Sequence, residues 1–288
     1  MLITGANGLL GRDIVRSFSG EYEIVRTDRE ECDVSRAEEC MRVIGGFAPH
    51  VVVHCAAYTA VDRAESEEEA AFALNAGGTR NVGLACRAHG ALLVTFGTDY
   101  VFDGTSDRPY EESDPPGPLS AYGRSKLAAE EALREVAPDF LLLRTQWLFG
   151  AHGGNFLLSI LERAGRGENL AVVSDQRGSP TYTRDLSDGV KRLLDAGARG
   201  TFHFSNEGET TFFDYASFLV AHAGNRETRL SPLSTSDLSR ERYPAPRPLY
   251  AVLSKKKYRE TTGASPRRWE DAVLDFLRTE WEKKREGS

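Results

Sequence analysis

The chain has 288 residues, 40% of them apolar and 27% charged, which suits a globular protein of one large domain or a large and a small one. A formal charge of −7 and a pI near 5.5 argue against nucleic-acid binding, which needs a basic surface. No apolar run approaches the roughly 20 residues that span a bilayer, and Met1 leads straight into Leu2-Ile3-Thr4 without a signal core, which points to a cytoplasmic protein.

Leu2-Ile3-Thr4 reads as a strand, residues 11–18 as a first helix and 22–27 as a second strand. Val51-Val52-Val53-His54-Cys55 is a near-continuous apolar run, the pattern of a strand covered on both faces. Residues 92–96 and 140–143 repeat that pattern, and helical spacing runs over 70–87 and 121–136. Gly178-Ser179-Pro180 breaks the pattern before a helix over 183–194. Tyr243-Pro244-Ala245-Pro246-Arg247-Pro248 can be neither central strand nor helix interior. An amphipathic helix over 269–284 sets Ala272, Phe276 and Leu277 on one face for a core. The alternation predicts an α/β fold: a doubly wound parallel sheet of Rossmann type with a smaller, mixed α/β lobe from the later segments. Cys32, Cys40, Cys55 and Cys86 form no C-x-x-C pair and have no histidines at ligand spacing, so they read as free thiols.

Thr4-Gly5-Ala6-Asn7-Gly8-Leu9-Leu10-Gly11 sets glycines at 5, 8 and 11 between a strand and a helix. Gly5 permits a tight turn, Gly8 a close approach to a pyrophosphate, and Gly11 close packing of the helix on the sheet. The helix then points its free N–H groups at the phosphates. Asp28 ends the second strand, 23 residues after Gly5, where an acid binds the adenosine ribose. Its carboxylate favours NADH, whereas Arg29 can pair with a 2′-phosphate, so NADPH and NADH both stay open. Asp33-Val34 suits a contact to the adenine edge, and Asp33 suits a helix cap before Arg36 equally well.

Tyr122 and Lys126 lie one turn apart on a helical face. A phenol with a reference pKa of ~10 is a sluggish acid–base group at neutral pH, and an adjacent ammonium stabilises its phenolate. That arrangement suits carbonyl reduction, in which hydride reaches carbon and Tyr122 protonates oxygen. Thr98 follows the buried run 92–96, at the carboxyl end of a parallel strand where open α/β sheets bind ligands. It can bond the carbonyl oxygen or the tyrosine hydroxyl.

In combination these residues resemble the extended short-chain dehydrogenase/reductases. Within them the chain is similar to the dTDP-4-dehydrorhamnose reductase family over nearly its whole length. The matching strings include Thr4-Gly5-Ala6-Asn7-Gly8, Ala56-Ala57-Tyr58-Thr59-Ala60-Val61-Asp62 and Thr98-Asp99-Tyr100-Val101-Phe102-Asp103-Gly104. Pro118-Leu119-Ser120-Ala121-Tyr122-Gly123-Arg124-Ser125-Lys126, Arg144-Thr145-Gln146-Trp147 and Asp175-Gln176-Arg177-Gly178-Ser179-Pro180-Thr181 follow. The resemblance implies an NADPH- or NADH-dependent oxidoreductase that reduces the C4 ketone of dTDP-4-dehydro-L-rhamnose to dTDP-L-rhamnose, a small-molecule nucleotide-sugar substrate with no nucleic-acid or membrane partner.

By matched position, Gly8, Leu9 and Leu10 contact the cofactor pyrophosphate, with Gly5, Asn7 and Gly11 shaping the loop. Asp28, Asp33 and Val34 serve the adenosine half, beside Arg29 as the cofactor-binding residue that the 2′-phosphate reading adds; Ala56, Ala57 and Tyr58 lie along the middle; Phe96 adds a backbone contact. Thr98 and Asp99 touch the sugar, Tyr122 donates the proton, Lys126 is its electrostatic partner and Trp147 walls the sugar ring. On this reading 1–147, rejoined by about 174–200 and 239–253, form the nucleotide-binding domain, and about 148–173, 201–238 and 254–288 the substrate-binding lobe. Leu9, His54 and Gly97 stand where the family usually has glutamine, asparagine and serine. Some members form homodimers around magnesium; no residue here is assigned to a metal.

A sugar-nucleotide dehydratase needs an Asp-Glu pair after the threonine, and here Tyr100 follows Asp99. A 4-epimerase uses the same Tyr and Lys and stays open. So does a non-catalytic nucleotide-binding subunit resembling the methionine adenosyltransferase beta subunit, by His54-Cys55-Ala56-Ala57 and Gly200-Thr201-Phe202-His203. Arg247, after the Pro-rich segment, suits a substrate diphosphate or a surface role equally.

Overall fold

A computed structural model of the chain describes residues 1–137, 139–224 and 227–283. Lys284, the end of the helix expected over 269–284, therefore lies outside the described residues. β1 (Leu2–Thr4) turns into α1 (Leu9–Phe18), followed by β2 (Val25–Thr27), α2 (Ala37–Phe47) and β3 (Val51–His54). Next come α3 (Glu68–Phe72), α4 (Gly78–His89), β4 (Leu92–Thr98), α5 (Ala121–Val136) and β5 (Phe140–Thr145). The chain then makes an excursion through β6 (Leu148–Phe149), α6 (Phe156–Gly165), β7 (Leu170–Val173), β8 (Arg177–Gly178) and β9 (Thr181–Tyr182). α7 (Thr183–Asp195) and β10 (Gly200–His203) lead on to β11 (Thr210–Thr211), α8 (Phe212–His222), β12 (Leu230–Leu233), α9 (Lys256–Thr262) and α10 (Trp269–Phe276).

Six strands form one parallel sheet in the order β2-β1-β3-β4-β5-β10, and the winding direction reverses between β1 and β3. Side-chain alternation explains why the strands read as unbroken apolar runs. Ile3, Val53, Val94, Leu141 and Leu143 face Ile14 and Phe18 of α1 and Leu186 and Val190 of α7. Their neighbours Leu2, Val52, Leu93 and Leu142 face α2, α4 and α5 through Ile44, Val82 and Leu133. Both sheet faces are dry, so neither face calls for polar residues. A separate apolar core joins α6, α8 and α10 through Leu157, Leu161, Leu219, Val273 and Phe276, beside the parallel pair β7 and β12.

Several borders differ from the sequence reading. β10 falls inside the 201–238 stretch assigned to the smaller lobe, yet it is the edge strand of the main sheet, and Tyr258 of α9 buries in that sheet's core. The second strand is shorter than 22–27 because Tyr22 instead packs edge-on against Phe18, ring centroids 5.3 Å apart. The helix over 70–87 starts earlier, at α3, and carries a π-helical turn, Ala73–Gly77, before α4. The sequence reading gives α2 no range and hints at it only through a cap before Arg36, next to where the helix starts.

One buried ion pair ties α5 to the sheet. Arg144, on β5, donates through Nε and Nη2 to Glu130 of α5, each at 2.8 Å, and both side chains are almost wholly buried. Gly97 on β4 lies against the pair: a Cβ there would stand 2.9 Å from Arg144 Cγ and 3.0 Å from Glu130 Oε1. Glu130→Ala leaves the guanidinium buried and unpaired, and should cost about 3–5 kcal/mol of folding stability. A urea titration measures this; a loss below about 1 kcal/mol, the scale of a surface pair, would refute the buried pair as described.

Candidate active site

The glycine loop folds back on itself. Gly5 has φ +62°, and a Cβ on it would lie 2.7 Å from the Ala56 nitrogen, so only glycine lets the chain turn beside the end of β3. A Cβ on Gly11 would stand 2.2 Å from the Gly5 carbonyl oxygen. The crowding at Gly11 is thus helix against loop, where the sequence suggested helix against sheet. Gly8 starts α1 in an extended conformation and no side chain caps that helix. Its first-turn N–H groups are left for an anion.

Two cavities flank the loop, sharing Gly5, Gly8, Ala56 and Ala57 in their walls. One, of about 570 Å³, is lined by Asp28, Arg29, Asp33, Val34 and Tyr58. The other, of about 490 Å³, is lined by Leu9, Leu10, Gly11, Phe96, Thr98, Asp99, Tyr122, Lys126 and Trp147. Every site residue named from the sequence lines one of them except Asn7. Its backbone is spent on the loop: the N–H donates to Asp28 Oδ2 at 3.0 Å and the carbonyl accepts from Arg12 Nε at 2.9 Å. Asp33 is no helix cap, since Arg36 holds that position. It accepts from the Ser35 hydroxyl and N–H instead, which holds its carboxyl below the usual range.

α5 delivers Tyr122 and Lys126. Ser120 caps its first turn through Gly123 N, and Glu65 accepts the Ala121 N–H at 2.7 Å. The Lys126 ammonium donates to the Phe96 carbonyl at 2.7 Å, so the backbone contact expected from Phe96 is taken up by lysine. Burial brings Lys126 down to about 8 and pushes Tyr122 up to about 12, with the neighbouring Thr98 hydroxyl pulling Tyr122 the other way. The sequence argument had Lys126 lowering the tyrosine's pKa; here desolvation dominates. Thr98 donates to Asp99 Oδ1 at 3.0 Å, while Asp99 Oδ2 is buried without a partner. Burial raises Asp99 to about 7. His54 meets Thr4 through Nδ1 at 2.8 Å, and burial holds it neutral, down at about 3.

Trp147 adopts φ +46°, a left-handed conformation a bulky residue holds only when its surroundings enforce it. Its ring stacks on Phe212 at 3.7 Å, and a Cβ on Gly178 would strike it at 2.6 Å. Arg247 is committed elsewhere: it donates to Asp62 Oδ2 at 2.6 Å and to the Ala245 carbonyl at 2.9 Å, fastening the Pro-rich segment.

Asn75 escaped the sequence reading. It sits in the π-helical turn, lines the 490 Å³ cavity and is 1% exposed. Its amide accepts the Tyr58 N–H at 2.8 Å, and donates to the Tyr58 carbonyl and the Ser125 hydroxyl. An amide inside an apolar helical pattern was the available signal, and π-turns often mark functional sites. Among the described residues no three His, Cys, Asp or Glu side chains group as metal ligands. None of the described helices is long and apolar enough to cross a membrane. The larger-scale chemistry is that of a groove with anion-binding amides at its centre and a protonated phenol, a hydroxyl and an ammonium at one end.

A family model described as RmlD substrate binding domain matches residues 1–281. A dTDP-4-dehydrorhamnose reductase of Burkholderia thailandensis is 38% identical, over 95% of this chain and 96% of that protein. A dTDP-4-keto-6-deoxy-D-glucose reductase of Streptomyces niveus is 38% identical, over 94% of each. The crystal structure of a dTDP-4-dehydrorhamnose reductase from Bacillus anthracis in complex with NADP superposes with a TM-score of 0.92 at 35% identity, covering 96% of this chain and 97% of that one.

Asp99 carries a pH signature. With its carboxyl raised from about 4 in the unfolded chain to about 7 in the fold, the native state holds a proton that the unfolded state releases. Stability is therefore lost as pH climbs through that window. Asp99→Asn removes the effect, so the Tm of the variant relative to the parent should rise between pH ~4.5, near the foot of the window, and pH ~8, about 1 unit above it. A difference independent of pH would show that Asp99 ionises normally.

Proposed function

We propose, for a chain that belongs to the RmlD substrate binding domain family, the reduction of the C4 ketone of dTDP-4-dehydro-L-rhamnose to dTDP-L-rhamnose. The observation that carries this reading is the meeting of Thr98, Tyr122 and Lys126 in the 490 Å³ cavity, one of the two that the glycine loop lines. The two relatives' names agree on the chemistry, a C4 ketone on a dTDP-linked deoxysugar. The NADP bound to the Bacillus anthracis protein supports a nicotinamide cofactor here.

The residues present fit that cofactor. The uncapped start of α1 offers N–H groups for its pyrophosphate, and the 570 Å³ cavity offers Asp28, Asp33 and Val34 for its adenosine half. Asp28 already accepts the Asn7 and Arg29 N–H groups, which blunts its repulsion of a 2′-phosphate. Arg29 is 88% exposed and only 3.9 Å from Asp33, loosely enough held to turn onto such a phosphate. On these grounds the site accepts NADPH as well as NADH. The segments 1–147, about 174–200 and 239–253 then hold the cofactor, with β10 added to them, and the remaining segments hold the sugar nucleotide.

A reduced nicotinamide supplies the hydride to C4. Tyr122, raised to about 12, is fully protonated at neutral pH and gives its proton to the developing alkoxide. The cost lies in the phenolate left behind. The Lys126 ammonium stabilises it, and so does the Thr98 hydroxyl once its proton turns from Asp99 to the phenolate, in a buried setting that strengthens both. Trp147 closes the cavity against the sugar ring.

Purified protein mixed with NADPH and dTDP-4-dehydro-L-rhamnose should oxidise the cofactor stoichiometrically, followed by its absorbance. Cofactor bound but not oxidised would favour a non-catalytic nucleotide-binding subunit, and a tightly held cofactor that is never consumed would favour an epimerase. Tyr122→Phe should lower kcat by about 10²-fold or more; near-normal turnover would rule out its role as donor. With Lys126 near 8, kcat/KM should decline as pH rises past that value and the ammonium is lost. A profile flat to pH 10 would detach the lysine from catalysis.

A further inference from the structure

β5 ends at Thr145, paired in register with Thr98 of β4, and the chain continues as Gln146 and Trp147. At this carboxyl end of the two inner strands several buried side chains lack hydrogen-bond partners. Among the described residues only seven buried side-chain polar atoms have no partner, and four of them belong to Asp99, Thr145 and Gln146. All three residues line the 490 Å³ cavity. Gln146 stands out because it is 2% exposed and both its amide oxygen and its amide nitrogen are unpartnered.

An amide buried without partners is worse for the fold than an apolar side chain of the same volume. A structural glutamine would bond a neighbouring backbone, as Asn75 does twice with Tyr58. Gln146 does not. Its oxygen is packed so closely on Gly178 that a Cβ there would come within 2.8 Å of it. Three rotatable bonds let the amide swing from that wall once a ligand offers partners. A sugar hydroxyl both donates and accepts, so an amide with a free N–H and a free C=O matches two adjacent hydroxyls on one ring.

We propose that Gln146 is a specificity-determining residue whose amide hydrogen-bonds adjacent ring hydroxyls of the nucleotide sugar, with Thr145 and Asp99 as neighbouring contacts. This rests on the reductase reading above. Sites built to bond a hydroxyl reject ligands that cannot complete the bond, so the amide selects sugars that keep both hydroxyls and disfavours deoxy analogues.

Gln146→Met keeps the volume and removes the amide. The KM for dTDP-4-dehydro-L-rhamnose should rise about tenfold or more while the KM for NADPH stays within about twofold. The ligand-free variant should melt no lower than the parent, because an unpartnered amide has been removed, and the upward Tm shift produced by dTDP-L-rhamnose should shrink. An unchanged sugar KM, or a clear fall in the ligand-free Tm with sugar binding intact, would overturn the proposal and make Gln146 a structural residue. Should the parent fail to oxidise NADPH, the reductase reading fails; the Tm shift with dTDP-L-rhamnose then decides the role of the amide by itself.

Discussion

A carboxylate and a guanidinium sealed from water, Glu130 and Arg144, fix the helix that carries Tyr122 and Lys126. Three further bonds fall along the same helix: Glu65 to the Ala121 N–H, Asn75 to Ser125, and Lys126 to the Phe96 carbonyl. Each reaches a different part of the framework, so α5 can neither slide nor rotate without breaking several at once. A buried ion pair adds little net stability against an apolar pair of equal volume. Its value here is directional, since two parallel bonds from one planar guanidinium allow a single orientation of the helix face.

The electrostatics follow from that anchoring. Burying Lys126 and Tyr122 destabilises the charged form of both, and the two groups move toward neutrality in opposite senses. Sequence spacing alone suggested a charged lysine activating its neighbour. The fold instead keeps the phenol firmly protonated, which suits a donor, and charge appears on it only as the proton leaves. Preorganised partners aimed at a charge that is absent in the resting site are how such cavities favour a transition state over a ground state.

The four inner strands of the sheet, β1, β3, β4 and β5, were legible because each buries both faces, which writes an apolar run into the sequence whatever the rest of the chain does. The glycine loop, Thr98, Tyr122 and Lys126 were legible because strand ends and helical spacing bring them to one place. What stayed hidden depends on tertiary packing. α2 contains Gly45 and Gly46, poor helix formers, and is held by burying Cys40, Val43 and Ile44 against the sheet. The edge position of β10 depends on Phe202 and His203 meeting partners about 60 to 90 residues away, Arg144 and Tyr110 among them. Asn75 depends on a π-turn with no simple periodic signature, and Gln146 on a failure to find partners, which no one-dimensional pattern records.

Trp147 joins the two halves of the molecule, projecting from the end of the main sheet and stacking on Phe212 at the start of α8. The chain has three tryptophans, and of these Trp147 lines the cavity, whereas Trp269 is buried in the core of the smaller lobe and Trp281 packs against it. One indole therefore borders the site, while another is buried in an apolar interior and the third half-buried against it. The protein carries its own optical probe: light emitted by Trp147 depends on what fills the space beside it, and the remaining emission supplies an internal baseline.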